Sequence, residues 1–273
     1  MTAIRRAFAD LSAGQIHYAS CGDVGAPAIL LLHQSPRSWL EYRDVLPLLG
    51  RRFHAIAMDT AGFGDSVPVA GPVTIEAWAE VAMELLAALS LTGVHVVGHH
   101  TGGVIAIEMA ASSRGSVRSL VLSSTPWVDE ALRRERAARP PIDEVAPSAD
   151  GSHLQALWQR RQPFYPADRP DLLEAFVVDA LRASGGAEVG HRAVAAYRME
   201  EAIGRVRQPV LVVRASADPF ASPHGAEWMR RLPQARLVEI DGGMVPLPDQ
   251  LPTQFAGVVL DFVSGLADGQ AAP

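Results

Sequence analysis

Val94–Ala110 reads VHVVGHHTGGVIAIEMA, and this stretch decides the fold. It opens as a short apolar run of strand type, and from Gly102 onward its apolar residues recur at helical spacing. Gly98 and Gly102 bracket a turn between the two. A strand that passes into a helix through Gly-x-x-x-Gly matches the nucleophile elbow, Gly-x-Ser-x-Gly, whose central side chain projects from a sharp turn. His100 holds that central position. The stretch has the backbone of a nucleophilic site without the hydroxyl such sites use.

Outward from this turn, apolar runs alternate with helical patterns. That alternation predicts a mainly parallel sheet with helices on both faces, an α/β architecture. Strands are expected at Ile4–Ala9, Gln15–Ser20, Ala28–His33, Phe53–Met58, Val94–Gly98, Ser119–Ser123, Val210–Arg214 and Arg236–Ile240, the first two as an antiparallel edge hairpin. Helices are expected at Ile75–Leu89, Gly102–Ser112, Gly225–Leu232 and Thr253–Leu266. The region from Ser124 to Gln208 lacks strand-like runs and carries helical periodicity broken by prolines. It reads as a helical lid, residues 125–207, inserted into a core made of 1–124 and 208–273. Such a lid would cover the C-terminal edge of the sheet, where open α/β sheets bind ligands.

Composition narrows the chemistry. A chain of 273 residues with 48% hydrophobic and 20% charged residues is that of a globular enzyme. The net charge of −6 argues against nucleic acid as a partner. The one locally basic run, Arg133–Arg139 (RRERAAR), is expected to be a solvated helix face. Every cation is arginine, so lysine-based Schiff-base and P-loop chemistry are excluded. A single cysteine, Cys21, excludes an internal disulfide. With no apolar leader and no run of membrane-spanning length, a cytoplasmic monomer or homodimer acting on a small molecule is expected, without cofactor or membrane partner.

Four landmarks then occur in order. They are Leu31–Pro36 (LLHQSP), Asp59–Ser66 (DTAGFGDS), the turn at His100, and Leu211–Asp218 (LVVRASAD). In this order and across nearly the whole chain they resemble the α/β-hydrolase superfamily, in particular its lid-containing epoxide hydrolase, haloalkane dehalogenase and C–C hydrolase branches. The resemblance implies an oxyanion turn at LLHQSP, where Gln34 replaces glycine, and a catalytic acid at Asp218. It also implies a histidine in Asp241–Asp249 (DGGMVPLPD), where Met244 stands instead. Of the serine, acid and histidine expected, only Asp218 is present.

The two replacements suggest a rearrangement. The imidazole of His100 is longer than a serine side chain and would extend toward Asp218, with the Met244 thioether packing around it. The carboxylate would fix the tautomer of the ring and leave it as a general base facing the pocket. The oxyanion donors would be the backbone N–H groups of Ser35 and Thr101, which do not depend on side-chain identity. His33 is expected to brace the oxyanion turn, and His99 to pack behind the elbow. Histidines adjacent in sequence point apart, so no metal site is expected from them. His191 or His224 could supply a displaced imidazole. Trp127, Trp158, Tyr165 and Tyr197 are candidates for the pocket wall and suggest an apolar or aromatic ligand. Arg160 and Arg161 could meet an anionic group, although solvated helix charges are the usual outcome.

Three functions follow for comparison. The first is an acid–base enzyme (lyase, isomerase, cyclase, decarboxylase or water-activating hydrolase), as the non-hydrolytic hydroxynitrile lyases of the superfamily illustrate. The second is a hydrolase with His100 as covalent nucleophile. The third is a ligand-binding protein on the same scaffold.

Overall fold

A computed structural model describes residues 3–113, 115–220 and 224–268. Eight strands form one sheet: β1 Arg5–Leu11, β2 Gly14–Cys21, β3 Ala28–Leu32, β4 His54–Met58, β5 Val94–His99, β6 Val117–Ser123, β7 Val210–Ala215 and β8 Arg236–Ile240. Each lies within two residues of its expected ends. The order across the sheet is β1-β2-β4-β3-β5-β6-β7-β8. β2 pairs antiparallel with β1 and with β4, and every other neighbouring pair is parallel.

Strand periodicity divides the core in two. Leu30, Leu32, Val96, Leu120 and Leu122 face one side, against the helices Ile75–Ala88 and Thr101–Ser112. Ile29, Leu31, Val97, Val121 and Leu211 face the other, against Tyr42, Leu46 and the helix Pro252–Asp268. Both faces of the central strands are therefore buried, which is why β3 and β4 carry no polar alternation. The helix Ile75–Ala88 starts where the Thr74 hydroxyl accepts the Ala77 N–H at 3.1 Å. It buries Ile75, Trp78, Ala79, Ala82, Leu85 and Leu86, an i, i+3, i+4, i+7 stripe.

Between β6 and β7 run the helices Glu130–Ala137, Ser152–Arg161, Pro170–Arg182, Val189–Ala196 and Met199–Ala202, with no strand among the described residues. Leu157, Tyr165, Leu172, Leu173 and Phe176 give this segment an apolar cluster of its own. Val245, from the turn after β8, joins that cluster and fastens the segment to the sheet. No helix of the described residues is long and apolar enough to cross a membrane.

Candidate active site

The elbow forms as its glycines require. His100 sits between β5 and the helix Thr101–Ser112 with φ 47° and ψ −111°, outside the regions that L-residues favour. Such a conformation costs about 1–3 kcal/mol and persists only where its surroundings impose it. Here the His100 N–H donates to Ser123 O at 2.9 Å, and the Gly103 N–H donates to His100 O at 3.0 Å. A Cβ at Gly98 would lie 2.2 Å from Gly102 O, and one at Gly102 would lie 2.0 Å from Leu32 O. Both obstacles are backbone, so no rotamer relieves them. We expect Gly102→Ala to lower stability by ~1–3 kcal/mol or more. A urea melt with an unchanged midpoint would contradict this reading of the turn.

His100 and Asp218 come together. Nε2 of His100 lies 2.8 Å from Oδ2 of Asp218, whose side chain is fully buried while that of His100 is 14% exposed. The approach angle falls outside that of a well-directed hydrogen bond, so the contact is a close approach of the ring nitrogen to the carboxylate. The other carboxylate oxygen, Oδ1, accepts the Phe220 N–H at 2.9 Å. Burial alone would push the Asp218 carboxyl up. The charge of His100, its proximity as a donor and the Phe220 N–H outweigh burial and hold the carboxyl down at about 2. Asp218 is therefore ionised at neutral pH.

His99 lies behind the turn, fully buried. Its Nε2–H donates to Val245 O at 2.8 Å, which leaves Nδ1 to accept from the Ser123 hydroxyl at 3.0 Å. The tautomer follows from the carbonyl, which only accepts. Burial, and then the charge of His100 beside it, push this ring down to about 3. A folded-state ring lowered from 6.5 stays neutral while the unfolded chain takes up a proton. Its contribution to stability is thus present above 6.5 and lost as pH falls toward about 3. His99→Gln should consequently lose less stability than wild type between neutrality and about pH 4. Parallel urea midpoints across that range would count against this.

The turn that carries Gln34 and Ser35 is built from the other side. The His33 Nε2 accepts the Thr60 N–H at 3.0 Å, so its Nδ1–H donates to Gln34 O at 2.8 Å. Burial lowers the pKa of this ring, in keeping with its neutral form. The Gln34 side chain gives its amide to Glu41 Oε1 at 2.6 Å, while the Gln34 N–H gives to Oε2 at 2.8 Å. Ser35 is left at the cavity, and the N–H groups of Ser35 and Thr101 make no hydrogen bond among the described residues.

Glu41 belongs to a buried network that sequence reasoning missed. Arg37, 1% exposed, donates through Nε to Asp179 at 3.0 Å and through Nη1 to Asp249 at 2.6 Å. Its Nη1 also lies 3.9 Å from Glu41. Burial pushes Glu41 up to about 8 despite the opposing charge of Arg37, and it raises Asp249 as well. One arginine thus ties the turn at Gln34 and Ser35 to the helix Pro170–Arg182 and to the short helix Leu247–Gln250.

His100, Ser35 and Thr101 line a narrow inner cavity of ≈ 40 Å³ beneath the segment between β6 and β7. Pro126, Ile142, Val194, Phe220 and Val245 give it apolar walls. It adjoins an outer chamber of ≈ 630 Å³, which shares Arg136, Ile142, His191 and Phe220 with it.

The expected aromatic wall lies elsewhere. Trp127 is buried edge-on against Trp228, with ring centroids 5.1 Å apart. Tyr165 packs on Phe176 at 5.8 Å, and Trp158 packs against the same cluster. The Tyr197 hydroxyl donates to Glu108 at 2.7 Å, away from His100. These rings fill the cores of the two layers. Met244 is half-buried with its N–H given to Gln250 Oε1 at 2.7 Å, and Val245 is the residue of that turn that reaches the cavity. His224 is taken up by the Trp127 N–H at 3.1 Å. His191 lines the cavity, but its Nε2 lies 2.8 Å from Asp143 Oδ2. Arg160 donates to Glu144 O at 2.7 Å, on the surface. Arg161 is buried against Asp143, with Nε at 2.6 Å from Oδ1.

Sequence and structure comparisons agree with this architecture. A family model for the alpha/beta hydrolase fold matches residues 27–247. The chain belongs to the α/β-hydrolase family. The soluble epoxide hydrolase of Corynebacterium sp. (strain C12) is 36% identical over 108 residues, 40% of this chain and 37% of that protein. Haloalkane dehalogenase 2 of Mycobacterium tuberculosis is 34% identical over 139 residues, 49% of this chain and 48% of that one. The chain thus spans less than half the length of either relative. The magnesium-chelatase 30 kDa subunit of Rhodobacter capsulatus is 24% identical across 89% of both chains. Among solved structures, the enol-lactonase of Burkholderia xenovorans LB400 superposes with a TM-score of 0.80 at 21% identity, over 94% of this chain and all of that one.

Proposed function

We propose that this protein is an α/β-hydrolase-fold enzyme that works by acid–base chemistry under a helical lid, with His100 as the base and Asp218 as the group that positions it. The observation that carries this reading is the 2.8 Å approach of His100 Nε2 to the buried, ionised Asp218. A carboxylate there keeps the proton on Nε2 and leaves Nδ1 as the basic lone pair. Nδ1 makes no hydrogen bond among the described residues, and the ring lines the cavity.

The substrate is a small molecule with an activated carbonyl. Its oxygen lies at the N–H groups of Ser35 and Thr101, which stabilise the negative charge that develops there. Nδ1 removes a proton either from the carbon beside the carbonyl, giving an enolate, or from a water that attacks it, giving a tetrahedral oxyanion. The imidazolium so formed rests against Asp218. A covalent acyl-imidazole route is less well supported, because the other imidazole in the cavity wall, His191, is turned onto Asp143.

The test is a panel of small esters, lactones and ketones, followed both for product and for deuterium uptake beside the carbonyl in heavy water. Turnover or exchange that needs His100, with no acyl adduct in rapidly quenched protein, is expected. An adduct on His100 would favour the covalent route. Tight binding throughout the panel with neither turnover nor exchange would favour a binding protein.

A further inference from the structure

The basic run Arg133–Arg139 is only partly a solvated face. Arg133 pairs with Glu200, Arg134 with Glu130 and Arg139 with Glu135. Arg136 does none of this. It is half-buried, its guanidinium makes no hydrogen bond or ion pair among the described residues, and it lines both the inner cavity and the outer chamber. Burial lowers its pKa, with Glu135 and Glu188 opposing from a distance and Arg139 adding to the fall.

Glu135 and Glu188 line the outer chamber with Arg136, and the shortage of negative charge lies on the side of the inner cavity. Among the described residues no carboxylate lines the inner cavity, whereas His100, Arg136, Arg161 and His191 all do. Three of these four have a carboxylate behind them: Asp218 for His100, and Asp143 for both Arg161 and His191. Arg136 alone among them brings to the cavity wall a cationic side chain with no carboxylate in contact with it. A guanidinium there is stabilised by an anion that enters the cavity, through charge-assisted bonds.

We propose that Arg136 is an anion subsite, and that the outer chamber and the inner cavity together take a small carboxylate-bearing molecule whose carboxylate lies at Arg136 while its reacting carbon faces His100. The second half of this statement rests on the proposed function, and the first does not. One free guanidinium matches a carboxylate monoanion. A phosphate monoester, with up to two charges, would need further donors.

Binding isolates the claim from turnover. Phenylacetate and its neutral counterpart phenylacetamide are titrated calorimetrically into wild type, Arg136→Gln, Arg136→Lys and His100→Ala, with phenyl phosphate as a third probe. Wild type should bind phenylacetate about tenfold tighter than the amide, the worth of one partly exposed charge-assisted contact. Arg136→Gln should abolish that preference and leave amide binding unchanged, Arg136→Lys should keep part of it, and His100→Ala should keep all of it. Equal affinities in wild type would overturn the subsite. So would a preference that survives Arg136→Gln, one lost only in His100→Ala, or no binding of either probe at millimolar concentration. Tighter, Arg136-dependent binding of phenyl phosphate would overturn the carboxylate assignment. If the preference follows Arg136 while no substrate is turned over, the subsite stands and the acid–base reading fails.

Discussion

His100→Ala should lower kcat by about 10²–10⁴-fold, the usual contribution of a positioned general base. KM should change little, because the cavity walls and the Ser35 and Thr101 amides remain. Loss should not be total, since oxyanion donors and binding alone leave residual catalysis. Asp218→Asn should fall by a similar factor for a different reason. An amide can present its NH₂ to Nε2, moving the ring proton to Nδ1 and removing the basic lone pair from the substrate side. Added imidazole should restore part of the activity to His100→Ala, whose cavity then has room for it, and none to Asp218→Asn. Steady-state kinetics with and without imidazole check all three points. Wild-type rates in both variants would contradict the assignment.

The largest effect on stability is expected at Arg37. Arg37→Met leaves Asp179, Asp249 and Glu41 buried without their shared cation, a change that costs ~3–5 kcal/mol. The damage should not stay local, because Glu41 holds the Gln34 N–H and side chain that shape the turn at Ser35. Activity should therefore fall in whatever fraction still folds. The pH dependence has a definite sign. Glu41, raised from 4.5 to about 8, holds in the folded state a proton that the unfolded chain releases. Its contribution to stability is complete below 4.5 and lost as pH rises through about 8. The deficit of Arg37→Met should thus narrow in mild acid, as the orphaned carboxyls take up protons. Urea melts at several pH values measure it. A deficit below about 1 kcal/mol would mean that the network is dispensable.

What the sequence made legible is what local geometry dictates. The elbow is set by Gly98 and Gly102, whose missing Cβ atoms would strike backbone. The buried strands declare themselves through their unbroken apolar runs, and Asp218 through its place just past a strand, β7. The network of Arg37 was not legible, because its partners lie 142 and 212 residues away in sequence. Nothing in the spacing of Asp179 or Asp249 points to Arg37. The aromatic residues failed for another reason: size and apolarity predict burial, but not which of several cavities a ring borders. Trp127 and Tyr165 went to core packing. Arg136 was hidden in a helix whose other arginines do find surface partners. Only the fold brings that one position against the cavity.

The central claim is that His100 and Asp218 act as one unit. A double-mutant cycle on kcat/KM with His100→Ala, Asp218→Asn and the double variant tests it most directly. Residues that act together are strongly non-additive, so the double variant should be no slower than the worse single variant. Losses that multiply, with the double variant slower by the product of the two, would show independent roles and contradict the pairing.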